Sequence, residues 1–321
     1  MTASGFDATR PILLLIMLVL ALGGFAVGHP GILSPDNLNS MAVFGVEIGM
    51  IALGQTLVIC GGDSGIDLSV GAIAALSQVV LGLLIHAGLP WLPAVLLTLS
   101  AGLVLGLVNA VAINWFRIPP IIATLATLFG YDGLALVATG GVNIDLTHAS
   151  PRFLAIGQGY ALHIPFQLLC LYLPLLLLFV YAQHFSRYGR ALYLAGSNEL
   201  AARLAGLRVA RLRGAAYVAT GLVSALAGIV GAARLGTARP DAASHANLIS
   251  IAIVVLGGTG IFGGTGSVIG TALATAVIAV IDYGLSYNDF NPIYQAGMIG
   301  SILIVLMLAE NLVGYRRSRT R

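Results

Sequence analysis

Between Met50 and Ile85 the chain reads MIALGQTLVIC, then GGDSGIDLSVG, then AIAALSQVVLGLLI. The outer runs are almost purely apolar, and the middle stretch, Gly61–Gly71, carries two aspartates and four glycines. Two apolar runs of this kind, joined by a polar and conformationally free break, read as membrane helices interrupted at depth. Irregular backbone survives there only where it is buried in protein or lines a cavity.

The rest of the 321 residues fits that reading. The chain is 58% hydrophobic and 8% charged, against about 25% charged for an ordinary soluble domain. Apolar runs near the roughly 17–25 residues needed to span a bilayer recur along its whole length. They are continuous rather than alternating, which argues against a β-barrel. The expected fold is an all-α polytopic membrane protein, with residues 1–321 forming a single transmembrane domain.

Ten spans are predicted: Pro11–Val27, Met41–Cys60, Ser69–Ile85, Leu92–Trp115, Pro119–Ala138, Pro165–Ala182, Gly214–Ala233, Leu248–Leu256, Ser267–Leu285 and Pro292–Ala309. The first is too long for a signal-peptide core and is read as a retained helix. With ten spans, twelve of the fifteen arginines fall on the side of the termini, and Arg152, Arg234 and Arg239 on the other. By the positive-inside rule both termini are expected to be cytoplasmic. Residues 139–164 then form an extracytoplasmic loop and residues 183–213 a cytoplasmic one.

All fifteen basic residues are arginine. Without lysine the chain has no Walker A phosphate loop and no Schiff-base chemistry. Cys60 and Cys170 lie inside predicted spans, and the six histidines show no HExxH or other paired spacing, so neither a metal site nor a catalytic centre is expected. An intramembrane enzyme would need residue pairs that do not stand out here. The arginines serve topology rather than nucleic acid.

The cytoplasmic loop contains SNELAARLAGLRVARLRG. Glu199, Ala201, Ala202, Leu204 and Leu207 have helical propensity, Arg203 is spaced to pair with Glu199, and Gly206 is a plausible stop. This segment is either a solvated connector or a docking helix for a cytoplasmic partner. A second glycine block, GGTGIFGGTGSVIG at Gly257–Gly270, follows another apolar run, and paired interruptions of this kind point to a transport route. The predicted topology places both blocks on one face.

A carboxylate at the centre of a lone membrane helix costs about 2.5–3.5 kcal/mol on insertion scales, and hydrogen bonds to a charged group return about 1.5–3 kcal/mol each. Asp67 is therefore expected to be held by backbone N–H groups at a helix start. The spacing Ser64-x-x-Asp67 is that of a capping box.

GIDLSVGAIAALS resembles the GGIDLSVG signature of the membrane permeases of monosaccharide ABC importers, the group that includes ribose, xylose, galactose and autoinducer-2 transporters. GLVNAVAINWFRIPPIIATLATL, with Asn109, Pro119, Pro120 and Thr124, is similar to the stretch at the family's fourth and fifth spans. GSNELAARLAGLRV resembles its coupling segment, and VLGGTGIFGGTGSVIGT its second glycine block. In two places the chain departs from the pattern: Ser64 replaces a glycine after the added charge of Asp63, and Asp132 stands where members commonly carry arginine. The resemblance implies a multi-pass permease of the bacterial inner membrane with no catalytic centre of its own. Its route would run past Ser64, Gly65, Asp67, Ser69, Asn109, Thr124 and Asp132. Glu199, Ala201, Ala202, Arg203 and Gly206 would couple it to a cytoplasmic ABC ATPase that binds ATP and Mg. A second permease subunit, identical or homologous, and a periplasmic solute-binding protein complete the implied assembly. The rival reading is an ion-coupled secondary transporter that uses Glu47 and Asp132.

Overall fold

The computed structural model describes residues 9–243 and 245–291, together with 297, 300, 301 and 304. The first half folds as α1 (Thr9–Gly28), α2 (Pro35–Cys60), α3 (Val70–His86), α4 (Trp91–Asn114) and α5 (Pro120–Thr139). The second half adds α6 (Pro151–Gln158), α7 (Leu173–Val180), α8 (Arg187–Ser197), α9 (Glu199–Leu204), α10 (Val209–Leu235), α11 (Ala246–Leu256) and α12 (Val268–Tyr287). Helix α7 is extended at both ends by π-helical turns, Gln167–Tyr172 and Tyr181–Phe185.

Seven helical stretches among the described residues are long and apolar enough to cross a membrane, and α3 and α11 are shorter apolar helices. The predicted span Pro292–Ala309 lies outside the described residues except for positions 297, 300, 301 and 304, and the arginines at 316–321 lie outside them altogether. At 11 residues, α11 rises only about 16 Å, roughly half of a hydrocarbon core. The glycine-rich Gly257–Gly266 follows it as irregular chain before α12.

Helices α2, α10 and α12 are mostly buried, whereas α1, α5 and α7 leave most of their apolar surface outward. Leu15, Val19, Ile122, Phe129, Leu177 and Leu178 are all exposed, an arrangement that suits hydrocarbon as the surrounding solvent. Small residues let the inner helices cross closely. On α4, a Cβ added to Gly106 would stand 2.5 Å from the Tyr217 carbonyl oxygen of α10, and one on Gly102 2.2 Å from the Ala225 Cβ. This is the small-xxx-small packing of membrane helices, where dispersion between close backbones replaces the hydrophobic drive that lipid cannot supply.

The loop at 139–164 is an ordered cap. Its strand β1 (Ile144–Asp145) pairs antiparallel with β4 (Thr237–Ala238), just past α10, and β2 (Tyr160–Ala161) pairs with β3 (Ile164–Pro165) as a hairpin. Helix α6 lies against the end of α10, so close that a Cβ on Gly157 would meet the Arg234 backbone N at 2.2 Å. At the opposite end of the bundle α8 and α9 form the connector between α7 and α10. Arg234 and Arg239 lie at the cap end, Arg117, Arg203, Arg208 and Arg213 around one groove at the connector end.

Candidate functional site

The break after α2 is an anchored structure. Asp67 is fully buried. Its Oδ1 accepts the Ser69 backbone N–H at 2.9 Å and the Ser69 hydroxyl at 2.6 Å. Asn109 of α4 donates Nδ2 to Ser69 Oγ at 2.8 Å and reaches Asp67 Oδ2 at 3.5 Å. Thr127 of α5 donates to Asn109 Oδ1 at 2.7 Å. The result is a chain of donors, Thr127 to Asn109 to Ser69 to Asp67, in which each bond polarises the next and the charge sits at the end. The main chain is held too: Gln55 Nε2 donates to the Asp67 carbonyl at 3.2 Å, and Thr124 Oγ1 lies 3.2 Å from the Ile66 carbonyl. Four of the expected residues, Asp67, Ser69, Asn109 and Thr124, thus meet around one buried carboxylate.

The expected capping box does not form. Ser64 is exposed, with φ at +51°, and Asp63 has φ at +60°. Helix α3 starts only at Val70, so Ser64 lies well outside its first turn. Asp67 instead closes a tight turn onto Ser69, the N-cap position, whose own side chain caps nothing. Gly65 serves by close approach: a Cβ there would stand 2.8 Å from both the Gly62 and Val58 carbonyl oxygens. Asp132 does not join the cluster. Its neighbour Tyr131 packs inward and bonds the Leu105 carbonyl, and Asp132, one step round α5, makes no ion pair with a described residue.

The two glycine blocks touch. Gly264 donates its N–H to the Cys60 carbonyl at 3.1 Å. A Cβ on Gly263 would lie 2.3 Å from Gly62 Cα, one on Gly62 2.7 Å from Gly196 Cα, and one on Gly264 2.6 Å from Ser197 Cα. The end of α2, the loop before α12 and the end of α8 therefore pack backbone on backbone. Gln183 fastens the same junction, donating to Cys60 Sγ at 3.3 Å and accepting the Val268 N–H at 2.8 Å.

The connector presents α9 to the outside. Asn198 caps it by accepting the Ala201 N–H at 2.9 Å, and Gly206, at φ +81°, ends it while Leu207 N–H returns to the Ala202 carbonyl, a Schellman closure. Ala201, Leu204 and Gly206 are exposed. Glu199 pairs with Arg203 along the helix and with Arg213 of α10 at 2.7 Å. Partial burial pushes the Glu199 carboxyl up, but the Arg213 and Arg203 guanidiniums outweigh it and hold it below the usual range. Ala202 faces inward, fully buried against Ala195 and Val209. It belongs to the chain's own core, whereas Leu200 and Leu204 are both strongly exposed.

A cavity of about 460 Å³ opens toward the cap end between α2, α3, α10, α11 and α12. Its floor includes Ile51 and Ala74, and its polar wall holds Glu47, Gln78, Arg239, Asp241 and Asp282. Glu47 accepts from Arg234 Nε at 2.6 Å and Nη2 at 3.4 Å. Gln78 accepts the Arg239 N–H at 3.2 Å, and Arg239 pairs with Asp241. Sequence reading singled out Glu47 but missed the other four. Gln78 and Asp282, polar residues within apolar runs, were the available signal. A groove of about 870 Å³ at the connector end is walled by Asp63, Ser64, Arg117, Glu199, Arg208 and Arg213, among others. No group of acidic, histidine or cysteine side chains that could hold a metal occurs among the described residues.

Residues 37–307 match the family described as "Branched-chain amino acid transport system / permease component". The chain is 36% identical over 300 residues to the ribose import permease protein of Bacillus subtilis (strain 168), covering 94% of this chain and 91% of the relative. It is 36% identical over 307 residues to the autoinducer 2 import system permease protein of Enterobacter sp. (strain 638), covering 94% and 93%. It is also 32% identical over 299 residues to the ribose import permease protein of Escherichia coli (strain K12), covering 92% of each. No solved structure matches the chain. With the family pattern running through most of its length, the chain belongs to the permease-component family of the branched-chain amino acid transport systems.

Proposed function

We propose that this chain is the membrane-spanning subunit of an ATP-driven importer and forms the route of a monosaccharide or a related small polar solute. The observation that carries the reading is the likeness of over nine-tenths of the chain to ribose and autoinducer 2 import permeases. The absence of lysine supports it, since ATP hydrolysis must then reside in a separate ATPase that binds ATP and Mg. The connector end, with its arginines, is the cytoplasmic face, and the ATPase docks on the outer side of α9 through Leu200, Arg203 and Leu204. The cavity at the cap end receives solute from a periplasmic solute-binding protein, and a second permease subunit completes the pathway in the bacterial inner membrane.

Solute would pass from that cavity, over the floor at Ile51 and Ala74, toward the breaks. Gln55 lies one turn from Ile51 and bonds the Asp67 carbonyl, so motion at the break reaches the cavity floor directly. The ion-coupled alternative fares worse. Glu47 is already engaged by Arg234, and Asp132 lies in neither cavity.

Co-expression with the ABC ATPase of the same transport system tests the reading. The two should co-purify in detergent as a complex that hydrolyses ATP. A permease that never associates with it would contradict the proposal.

A further inference from the structure

One arginine at the connector end behaves unlike its neighbours. Arg213 begins on α10, yet its side chain turns inward and is only 11% exposed. Nε donates to the Gly61 carbonyl at 2.9 Å. Nη1 lies 2.7 Å from Glu199 Oε2 and 3.2 Å from Asp63 Oδ2. A single guanidinium therefore binds the coupling helix α9, the C-cap of α2 and the first charged residue of the break. An arginine that only fixed topology would extend into water or headgroups. The planar fork, with five donors, suits a junction of three acceptors, and its charge sits favourably at the C-terminal end of the α2 dipole.

The Gly196–Gly62 contact beside it is of a different kind. Gly196 and Gly62 meet by van der Waals apposition of main chain. Each such contact is individually weak and non-directional. The hydrogen-bonded ion cluster resists pulling and fixes lateral register. Asp63 holds its left-handed backbone, unusual outside glycine, where its carboxylate reaches the guanidinium.

We propose that Arg213 is a positioning residue that transmits displacement of α9 to the α2–α3 break, with Glu199 and Asp63 as its two arms. The inference rests on the importer reading. When the ATPase draws α9 away, Glu199 carries the guanidinium with it, and Gly61 and Asp63 follow. Without that tie, α9 moves and the break stays behind, so ATP is hydrolysed without import.

The test uses the complete importer (permease, ATPase and binding protein) in lipid vesicles, with solute imported and ATP hydrolysed measured together. Arg213→Gln should leave ATPase association and hydrolysis in place while solute imported per ATP falls about tenfold, within the usual span of coupling between sites. Arg213→Lys, which keeps the charge but not the fork, should fall between. Glu199→Gln, at a partly exposed position, guards against misfolding of the first variant. It should lower the same ratio, because Arg213 keeps Asp63 but loses the arm on α9. An unchanged ratio in a folded Arg213→Gln complex, or in Glu199→Gln, would overturn the proposal. A wild-type complex without ATP-dependent import would instead overturn the importer reading on which it rests.

Discussion

Ser69 and Asp67 form a closed turn in which one carboxylate oxygen accepts both the backbone N–H and the hydroxyl of the same serine, at 2.9 and 2.6 Å. The turn converts a charge that would oppose membrane insertion into the fixed end of a polar chain reaching α4 and α5. Removing the carboxylate takes away the acceptor of the Ser69 N–H and hydroxyl, while Asn109 Nδ2 keeps its bond to Ser69 Oγ.

Asp67→Leu should therefore destabilise the protein, by about 1–3 kcal/mol for each donor left buried and unpaired. Asp67→Asn retains an acceptor oxygen and should be milder. Melting temperature in detergent and uptake in cells should fall together for the leucine variant. Wild-type behaviour of both variants would show that the turn is dispensable.

The glycine junction should tolerate no side chain. At Gly263, alanine would meet the Gly62 main chain at 2.3 Å and would need φ near +89°, so the contact and the backbone are both unfavourable. Gly263→Ala is expected to reduce the yield of folded protein in size-exclusion chromatography. Gly130→Ala, where an added Cβ meets nothing within 4 Å, should leave it unchanged.

On α9, inner and outer faces should separate cleanly. Ala202→Glu places a charge in a fully buried position and should lower abundance through misfolding. Leu204→Glu alters an exposed residue and should leave abundance normal while ATPase co-purification is lost. Normal abundance of Ala202→Glu would contradict the burial described above.

Sidedness is open to chemical labelling. In a chain lacking Cys60 and Cys170, a cysteine at His148 in the cap should react with an impermeant maleimide in spheroplasts. One at Leu204 should react only after the membrane is opened. Equal labelling at both would contradict the topology.

The helical membrane fold was legible because apolar runs of spanning length are a property of composition, which survives without tertiary information. The break at Gly61–Gly71 was legible for the same reason, as an interruption. Its anchoring was not. Asn109 and Thr127 come from other helices, and nothing local in GLVNAVAIN says which side chain turns toward Asp67. The capping box failed because the S-x-x-D spacing presumes a helix starting near Ser64, and two positive-φ residues delay the start to Val70. Ala202 was misread because a small residue fits equally well against a partner's groove or against its own core. Only the neighbours Ala195 and Val209 decide. The short apolar helix α11 was legible, at Leu248–Leu256, but the cap helix α6 was hidden because it is only 8 residues long and set in a polar loop.

Transport by the reconstituted protein decides between the readings most directly. Vesicles should be prepared with the permease alone, and with its ATPase and binding protein, and uptake of a panel of radiolabelled pentoses and hexoses measured with ATP or with an imposed proton or sodium gradient. Accumulation should require the complete assembly and hydrolysable ATP, and a gradient should drive none. Gradient-driven uptake by the permease alone, without ATP, would contradict the importer reading.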